Sequence, residues 1–414
     1  MDFDDTPEEA EFRAGARTFL DKNAKRREPG AGMVYRAGNE SPQFRQQAKD
    51  WQARKADAGY AGITWSKDWG GRGGTPIQQV IYDQEEAKYA VPRGLFDIGL
   101  GMCIPTLCTW GTQAQRDRYS RTALRGEEIW CQLFSEPVAG SDLAGIRTRA
   151  ERDGDGWRVN GHKIWTSGAH YSQFAILVAR TDPHAPKHKG LTFFFLDMKS
   201  KGIETRPIKQ MWGGARFNEV FLTDVRIPDS QRLGKVGEGW KVALYTLGNE
   251  RFSVGTTILS GPTVSDMLAL ARTLELDGRP AIEKSVVREK LVDWYIKEQG
   301  LKFTIFRNQT ALSRGQAPGP ESSIAKVVSP AQTQEMASFA LDMLGTAGGV
   351  MDEALAHRGA WFQEEYLAAP GARVAGGTDE IMRNIIAERV LGLPGDIRVD
   401  KDLPYNQLPT GRRR

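Results

Sequence analysis

Two hydroxyls, Ser135 and Ser141, stand six residues apart in the stretch Leu133-Phe134-Ser135-Glu136-Pro137-Val138-Ala139-Gly140-Ser141-Asp142-Leu143-Ala144-Gly145. The bend is rich in proline and glycine. It can bring backbone N–H groups and hydroxyls close to a flat ligand in need of hydrogen bonds, because glycine admits a close backbone approach with no Cβ in the way. Other chemical signals are weaker. The Gly-Gly-Arg-Gly-Gly string at 70–74 lacks the Lys-Ser/Thr of a phosphate loop and follows no strand pattern, so it reads as a turn. Histidines at 162, 170, 184, 188 and 357 are scattered without HExxH-like spacing, and no metal site is expected. Cys103, Cys108 and Cys131 form no CxxC pair, which points to a reducing compartment.

The elements that must position the bend change character along the chain. Residues 7–60 read as helix, with Pro7-Glu8-Glu9 as a good first turn. Residues 61–75 read as a loop, and helical spacing resumes from Pro76 to about Gly126. After Trp130 the pattern becomes β: a hairpin over 156–165 with Asn160-Gly161 as its turn, apolar strands at 173–180 and 191–197, and an alternating strand at 217–225. Helical period returns at Gly237 and holds to about Leu393, with breaks near 277–280, 315–320, 345–349 and 370–377. Residues 394–414 look extended. The expected organisation is an N-terminal helical domain (1–128), a middle β domain (129–235), a C-terminal helical bundle (236–394) and an extended tail (395–414).

Composition sets outer limits. The 414 residues are 40% hydrophobic and 26% charged, an ordinary globular balance, with a formal charge of only +4. The basic segments at 22–27 and the final Gly-Arg-Arg-Arg carry no interleaved aromatics and read as solvated, not as nucleic-acid or membrane contacts. No apolar run reaches the roughly 20 residues of a membrane span. The acidic start is unlike a signal peptide, so the cytoplasm is expected.

The bend closely resembles the signature of the acyl-CoA dehydrogenase family, and four further stretches resemble that family in the same order. They are Gly161-His162-Lys163-Ile164-Trp165-Thr166-Ser167-Gly168, residues 216–228, residues 234–240 and residues 376–393. The resemblance implies an α+β multidomain fold: a helical domain, a β-barrel or sandwich domain and a four-helix bundle. It implies FAD as cofactor, an acyl-CoA substrate and electron-transfer flavoprotein as acceptor. A homodimer or tetramer is implied, or a heteromer with a related chain.

By the same resemblance, Gln132, Phe134 and Ser135 meet the flavin edge, and Gly140 and Ser141 approach its ribityl–pyrophosphate part. Trp165 covers the ring, Ser167 lies near N5, and Thr378 contacts the flavin from the bundle. Taken alone, Trp165 would read as a core tryptophan. The reaction needs a base for the α-proton of a thioester, and a carboxylate in a dry pocket suits it because desolvation raises its basicity. Many members place that glutamate just before Gly-Thr in the late loop, where this chain has Gly376. A minority place it on a bundle helix directly before an arginine, and here Gly248-Asn249-Glu250-Arg251-Phe252 has that form. Glu250 is therefore the candidate base, although a Glu-Arg pair alone is an ordinary helix surface. The Gly376 N–H and a ribityl hydroxyl would serve as oxyanion donors. Arg251 would contact the pantetheine or orient Glu250. Lys187-His188-Lys189 reads either as a contact for the nucleotide end of CoA or as a solvated turn. Residues 99–107 would line the acyl tunnel.

The chain also departs from the family. Leu274 and Asp342 stand where many members have the arginine and glutamine that hold the ADP half of FAD. Arg307 or Gln309 could substitute, a related chain could supply the donors, or FAD could be bound weakly. The functional expectation is an FAD-dependent acyl-CoA dehydrogenase of the β-oxidation type that yields a trans-2-enoyl-CoA. The alternatives are a flavin monooxygenase or acyl-CoA oxidase on the same fold, or one subunit of a heteromeric dehydrogenase.

Overall fold

The computed structural model describes residues 5–27, 41–257, 261–314, 319–395, 397 and 400–408, without the side chains of 250–257, 312 and 313. Among the described residues, five N-terminal helices come first: α1 (Pro7–Asn23), α2 (Pro42–Asp57), α3 (Pro76–Glu86), α4 (Ile104–Trp110) and α5 (Gln113–Leu124). Their starts are set locally. Thr6, Thr75 and Thr112 each cap the amide three residues on, and Glu9, Gln78 and Gln115 cap back in return. The continuous helix expected over 7–60 is broken. A short strand β1 (Lys25–Arg26) leaves α1 and pairs with β2 (Tyr89–Ala90), where Arg26 lies over the Tyr89 ring. The Gly-rich loop is structural, since Arg72 lies over the rings of Phe12 and Tyr60.

The middle of the chain forms β3 (Trp130–Leu133), β4 (Arg149–Asp153), β5 (Gly156–Ser167), β6 (Phe174–Arg180), β7 (Leu191–Asp197), β8 (Ile203–Ile208), β9 (Phe217–Pro228) and β10 (Arg232–Leu233). These eight strands make one sheet in the order β10-β7-β6-β4-β5-β9-β8, with β3 also on β6. β3 and β4 share one edge of β6, as successive parallel partners at Phe174–Leu177 and then at Arg180. Alternate residues face opposite ways. Ile176, Val178, Phe193 and Phe195 pack with Cys103, Ile104 and Leu107 of the helical side, whereas Ala175, Leu177, Phe194 and Leu196 pack with Val159, Val220 and Leu222.

The hairpin turn differs from the sequence expectation. It is Gly154-Asp155, between Asp153 and Gly156, and β5 runs straight through Asn160-Gly161. Asn160 instead bonds across to Asp224, and Gly161 lies so close to Thr148 that a Cβ there would overlap it. The glycine serves close approach, not reversal.

The C-terminal helical domain comprises α6 (Gly239–Thr257), α7 (Val264–Thr273), α8 (Ser285–Ser313), α9 (Ser323–Leu344), α10 (Trp361–Val374) and α11 (Asp379–Ile385), with a small ladder of β11 (Glu275–Leu276) and β12 (Arg279–Pro280) after α7. Met267, Leu270, Trp294, Met336, Ala340 and Phe362 form its core. Among the described residues no helix is long and apolar enough to cross a membrane. No group of three or more His, Cys, Asp or Glu among them is placed to hold a metal.

Candidate active site

The bend between β3 and β4 is tied from the inside. The Lys163 ammonium, fully buried on β5, donates to the Glu136 carboxylate at 2.9 Å and to the carbonyls of Phe134 and Val178 at 3.0 Å each. Glu136 also accepts the amides of Arg147 at 2.6 Å and Thr148 at 2.9 Å. Burial alone would raise the Glu136 pKa. The Lys163 charge and the donated hydrogen bonds outweigh it and hold the carboxyl below the ordinary glutamate range. Burial pulls the Lys163 pKa down, and Glu136 opposes that. One ion pair thus closes the 134–148 loop at both ends and anchors it to β5.

The first strand and the second meet through backbone. Ile164 N–H donates to the Ser135 carbonyl at 2.9 Å, which sets Ser135 beside Trp165. The Phe134 ring turns into the core against Phe193, so what it offers at the bend is backbone. Gln132, half-buried, continues β3 in register with Ile176. Gly140 and Ser141 are exposed, and no described atom lies within 4 Å of a Cβ built on Gly140.

Trp165 sits at a break in the β5–β9 register, between Lys163↔Val220 and Thr166↔Asn218. Its φ is 61°, in the left-handed region that large side chains avoid. Trp165 is 56% exposed, and its ring touches Phe217 edge-on. The bulge re-aims the side chain away from the sheet. An exposed indole held on a strained backbone fits the face of a flavin, and the open surroundings of Gly140 admit a close backbone approach. Ser167, half-buried, follows it opposite Phe217.

On the helical side, α6 packs against β7, α4 and residues 99–103. Val242 and Ala243 enter the core that contains Trp130 and Phe134. Thr246 bonds Thr106 at 2.9 Å, and Thr109 donates to Tyr245 at 2.8 Å. Glu250 and Arg251 continue this helix, but their side chains lie outside the described residues. Gly376 and Gly377 turn the corner between α10 and α11 with φ of 65° and 100°. A glutamate at 376 would be strained there, consistent with its absence. Thr378 caps α11 by accepting from the Ile381 amide at 3.3 Å. Arg373 fixes the corner through Asp379 at 2.6 Å. Among the described residues, hydrogen bonds join Ser135 to the Trp165 strand but do not join the Gly376–Thr378 corner to it.

The two positions where many family members hold the ADP half of FAD carry neither an arginine nor a glutamine side chain here. Leu274 packs against the bundle core, and Asp342 is an exposed acid. Arg307 is exposed on α8 and Gln309 is half-buried there. Lys187 is engaged by Asp142 at 2.7 Å and Asp400 at 3.6 Å, and His188 packs edge-on against Trp240. Lys187 and His188 are therefore part of the loop's framework, while Lys189 is exposed. Sequence reasoning missed Glu136, Lys163 and Arg180. The first two lie inside the recognised motifs, and Lys163 falls on the same alternation of β5 as the buried Trp157 and Val159.

Sequence profiles of the acyl-CoA dehydrogenase N-terminal, middle and C-terminal domains match residues 6–127, 131–225 and 237–391. Acyl-CoA dehydrogenase FadE34 of Mycobacterium tuberculosis is 37% identical over 343 residues, covering 83% of this chain; the chain spans about half, 46%, of that relative's length. Acyl-CoA dehydrogenase IpdE1 of the same organism is 34% identical over 94% of this chain and 98% of its own. Two solved structures cover 96% of this chain and 100% of their own at 26% identity: the Tcur3481-Tcur3483 steroid ACAD, with a TM-score of 0.80, and a chain of the ChsE4-ChsE5 complex from Mycobacterium tuberculosis, with 0.76. The chain belongs to the acyl-CoA dehydrogenase family, whose enzymes use FAD.

Proposed function

We propose that this chain oxidises an acyl-CoA thioester to the trans-2-enoyl-CoA, with Glu250 as the base that removes the α-proton. FAD, when bound, supplies the acceptor for the β-hydride. Ser135, Trp165 and Ser167 hold and cover the ring side of the site, and Gly140 and Ser141 give the cofactor's ribityl part a backbone approach. Thr378 adds a contact from the bundle, and Gln132 and Phe134 shape the strand beneath the edge. The Gly376 N–H donates to the thioester oxygen and stabilises the enolate. Arg251 orients Glu250 or meets the pantetheine, and electrons leave to an electron-transfer flavoprotein.

The observation that carries this reading is the seat of α6. Val242, Ala243 and Thr246 fix the helix onto α4 and the sheet, and Glu250 is the helical position four residues beyond Thr246. The late corner meanwhile carries glycine where a carboxylate would otherwise stand. Anaerobic titration of the purified holoprotein with short, branched, aromatic and steroidal acyl-CoA esters tests the activity. Flavin bleaching by at least one class, with a product two hydrogens lighter, is expected. Bleaching by none, with FAD bound, contradicts it.

A second reading concerns assembly. Leu274 and Asp342 leave the ADP half of FAD without its usual donors, and one similar structure is that of the ChsE4-ChsE5 complex. A related partner chain would supply them. FAD stoichiometry near one per two chains, reached only on co-expression with such a relative, supports this. One tightly held FAD per chain in a pure homo-oligomer refutes it.

A further inference from the structure

We propose that residues 400–408 form a strap that holds the Gly140–Ile146 loop in its cofactor-binding shape, with Arg180 and Tyr405 as positioning residues. The proposal rests on the reading of that loop as the one that meets FAD.

Arg180 ends β6 and is 4% exposed. Its guanidinium donates to the Ala144 carbonyl at 2.6 Å, to Ile146 at 3.3 Å and to Lys187 at 3.2 Å. The Tyr405 ring covers it, with the centroid 3.4 Å from the guanidinium carbon, and the Tyr405 hydroxyl donates to the Gly145 carbonyl at 3.1 Å. Three successive loop carbonyls are therefore held by this one stacked pair. A cation against an aromatic face is worth most where water is excluded.

The strap is seated by more than the ring. Tyr405 and Asn406 amides donate to the carbonyls of Ala185 and Pro183, each at 3.0 Å, and Pro404 bridges Pro186 antiparallel. Asn406 meets His184 at 3.1 Å. Lys187 spans loop and strap, between Asp142 at 2.7 Å and Asp400 at 3.6 Å. Removing the strap would open the face of a buried guanidinium to water and leave Gly145 without its partner. The loop would fluctuate, and a cofactor bound through its backbone would then have to order it.

The test uses the holoprotein in four forms: wild type, a chain ending at residue 399, Tyr405→Ala and Tyr405→Phe. Two quantities are read: amide exchange over 140–148, and the rate of FAD release followed by the fluorescence of freed flavin. The truncation and Tyr405→Ala should speed exchange at 140–146 and FAD release at least tenfold, with far-UV circular dichroism unchanged. Tyr405→Phe keeps the stacked ring and should restore most of both. Unchanged exchange in Tyr405→Ala overturns the strap. Faster exchange with unaltered FAD release leaves the strap but overturns the loop's role in holding the cofactor.

Discussion

The Lys163 ammonium and the Glu136 carboxylate lie 2.9 Å apart with both side chains buried, and they join the two motifs proposed to face the flavin. Lys163 sits two residues before Trp165, and Glu136 directly follows Ser135. The pair fixes the relative position of the bend and the bulge.

Lys163→Met leaves a carboxylate buried without its cation. Loss of one partner of such a pair costs about 3–5 kcal/mol. The urea midpoint of the apoprotein should fall accordingly. Adding Glu136→Gln to Lys163→Met should recover part of the loss, a coupling of about 1–3 kcal/mol in a double-mutant cycle. Additive losses would mean that the two residues act independently.

Trp165 is held with φ of 61° at a break in the strand register. Such strain costs on the order of 1–3 kcal/mol and persists at functional positions. Trp165→Gly should raise apoprotein stability by about 1 kcal/mol, less whatever the edge-on packing of the indole against Phe217 contributes. The same substitution should alter the flavin absorption band and weaken FAD binding. An unchanged flavin spectrum and affinity would show that the indole does not face the cofactor.

Glu85 ties α3 to α1, bonding Arg17 at 3.1 Å, Lys88 at 2.9 Å and Arg13 at 3.2 Å. Burial would raise its pKa, but these bonds outweigh it and lower the pKa to about 2. The stabilisation is complete above the unfolded value of 4.5 and is lost as pH falls toward about 2, an effect of about 3 kcal/mol. Glu85→Gln should flatten the acid limb of the stability profile between those values. An acid limb that coincides with that of the wild type would show that Glu85 does not govern it.

The α–β–α order and the starts of α1 and α3 were legible because they are local. Thr75 with Gln78 and Thr6 with Glu9 are capping boxes readable from spacing alone. Asn160-Gly161 misleads because the same dipeptide suits two purposes. Here Asn160 bonds across strands and Gly161 makes room for Thr148, while the chain reverses at the neighbouring Gly154-Asp155. The Lys163–Glu136 pair was invisible because a strand's alternation gives the face of a lysine but not the acid that awaits it 27 residues away. The strap was equally hidden. A polar tail carries no periodicity, and its seat on Arg180 exists only once β6 and the 182–190 loop have folded.

The most direct test of Glu250 as the base is anaerobic mixing of Glu250→Gln with an acyl-CoA ester that bleaches the wild type, together with exchange of the α-hydrogen into deuterated water. The predicted result is a yellow protein with FAD bound, no bleaching and no α-exchange. Bleaching or exchange at the wild-type rate would place the base elsewhere and contradict the central claim.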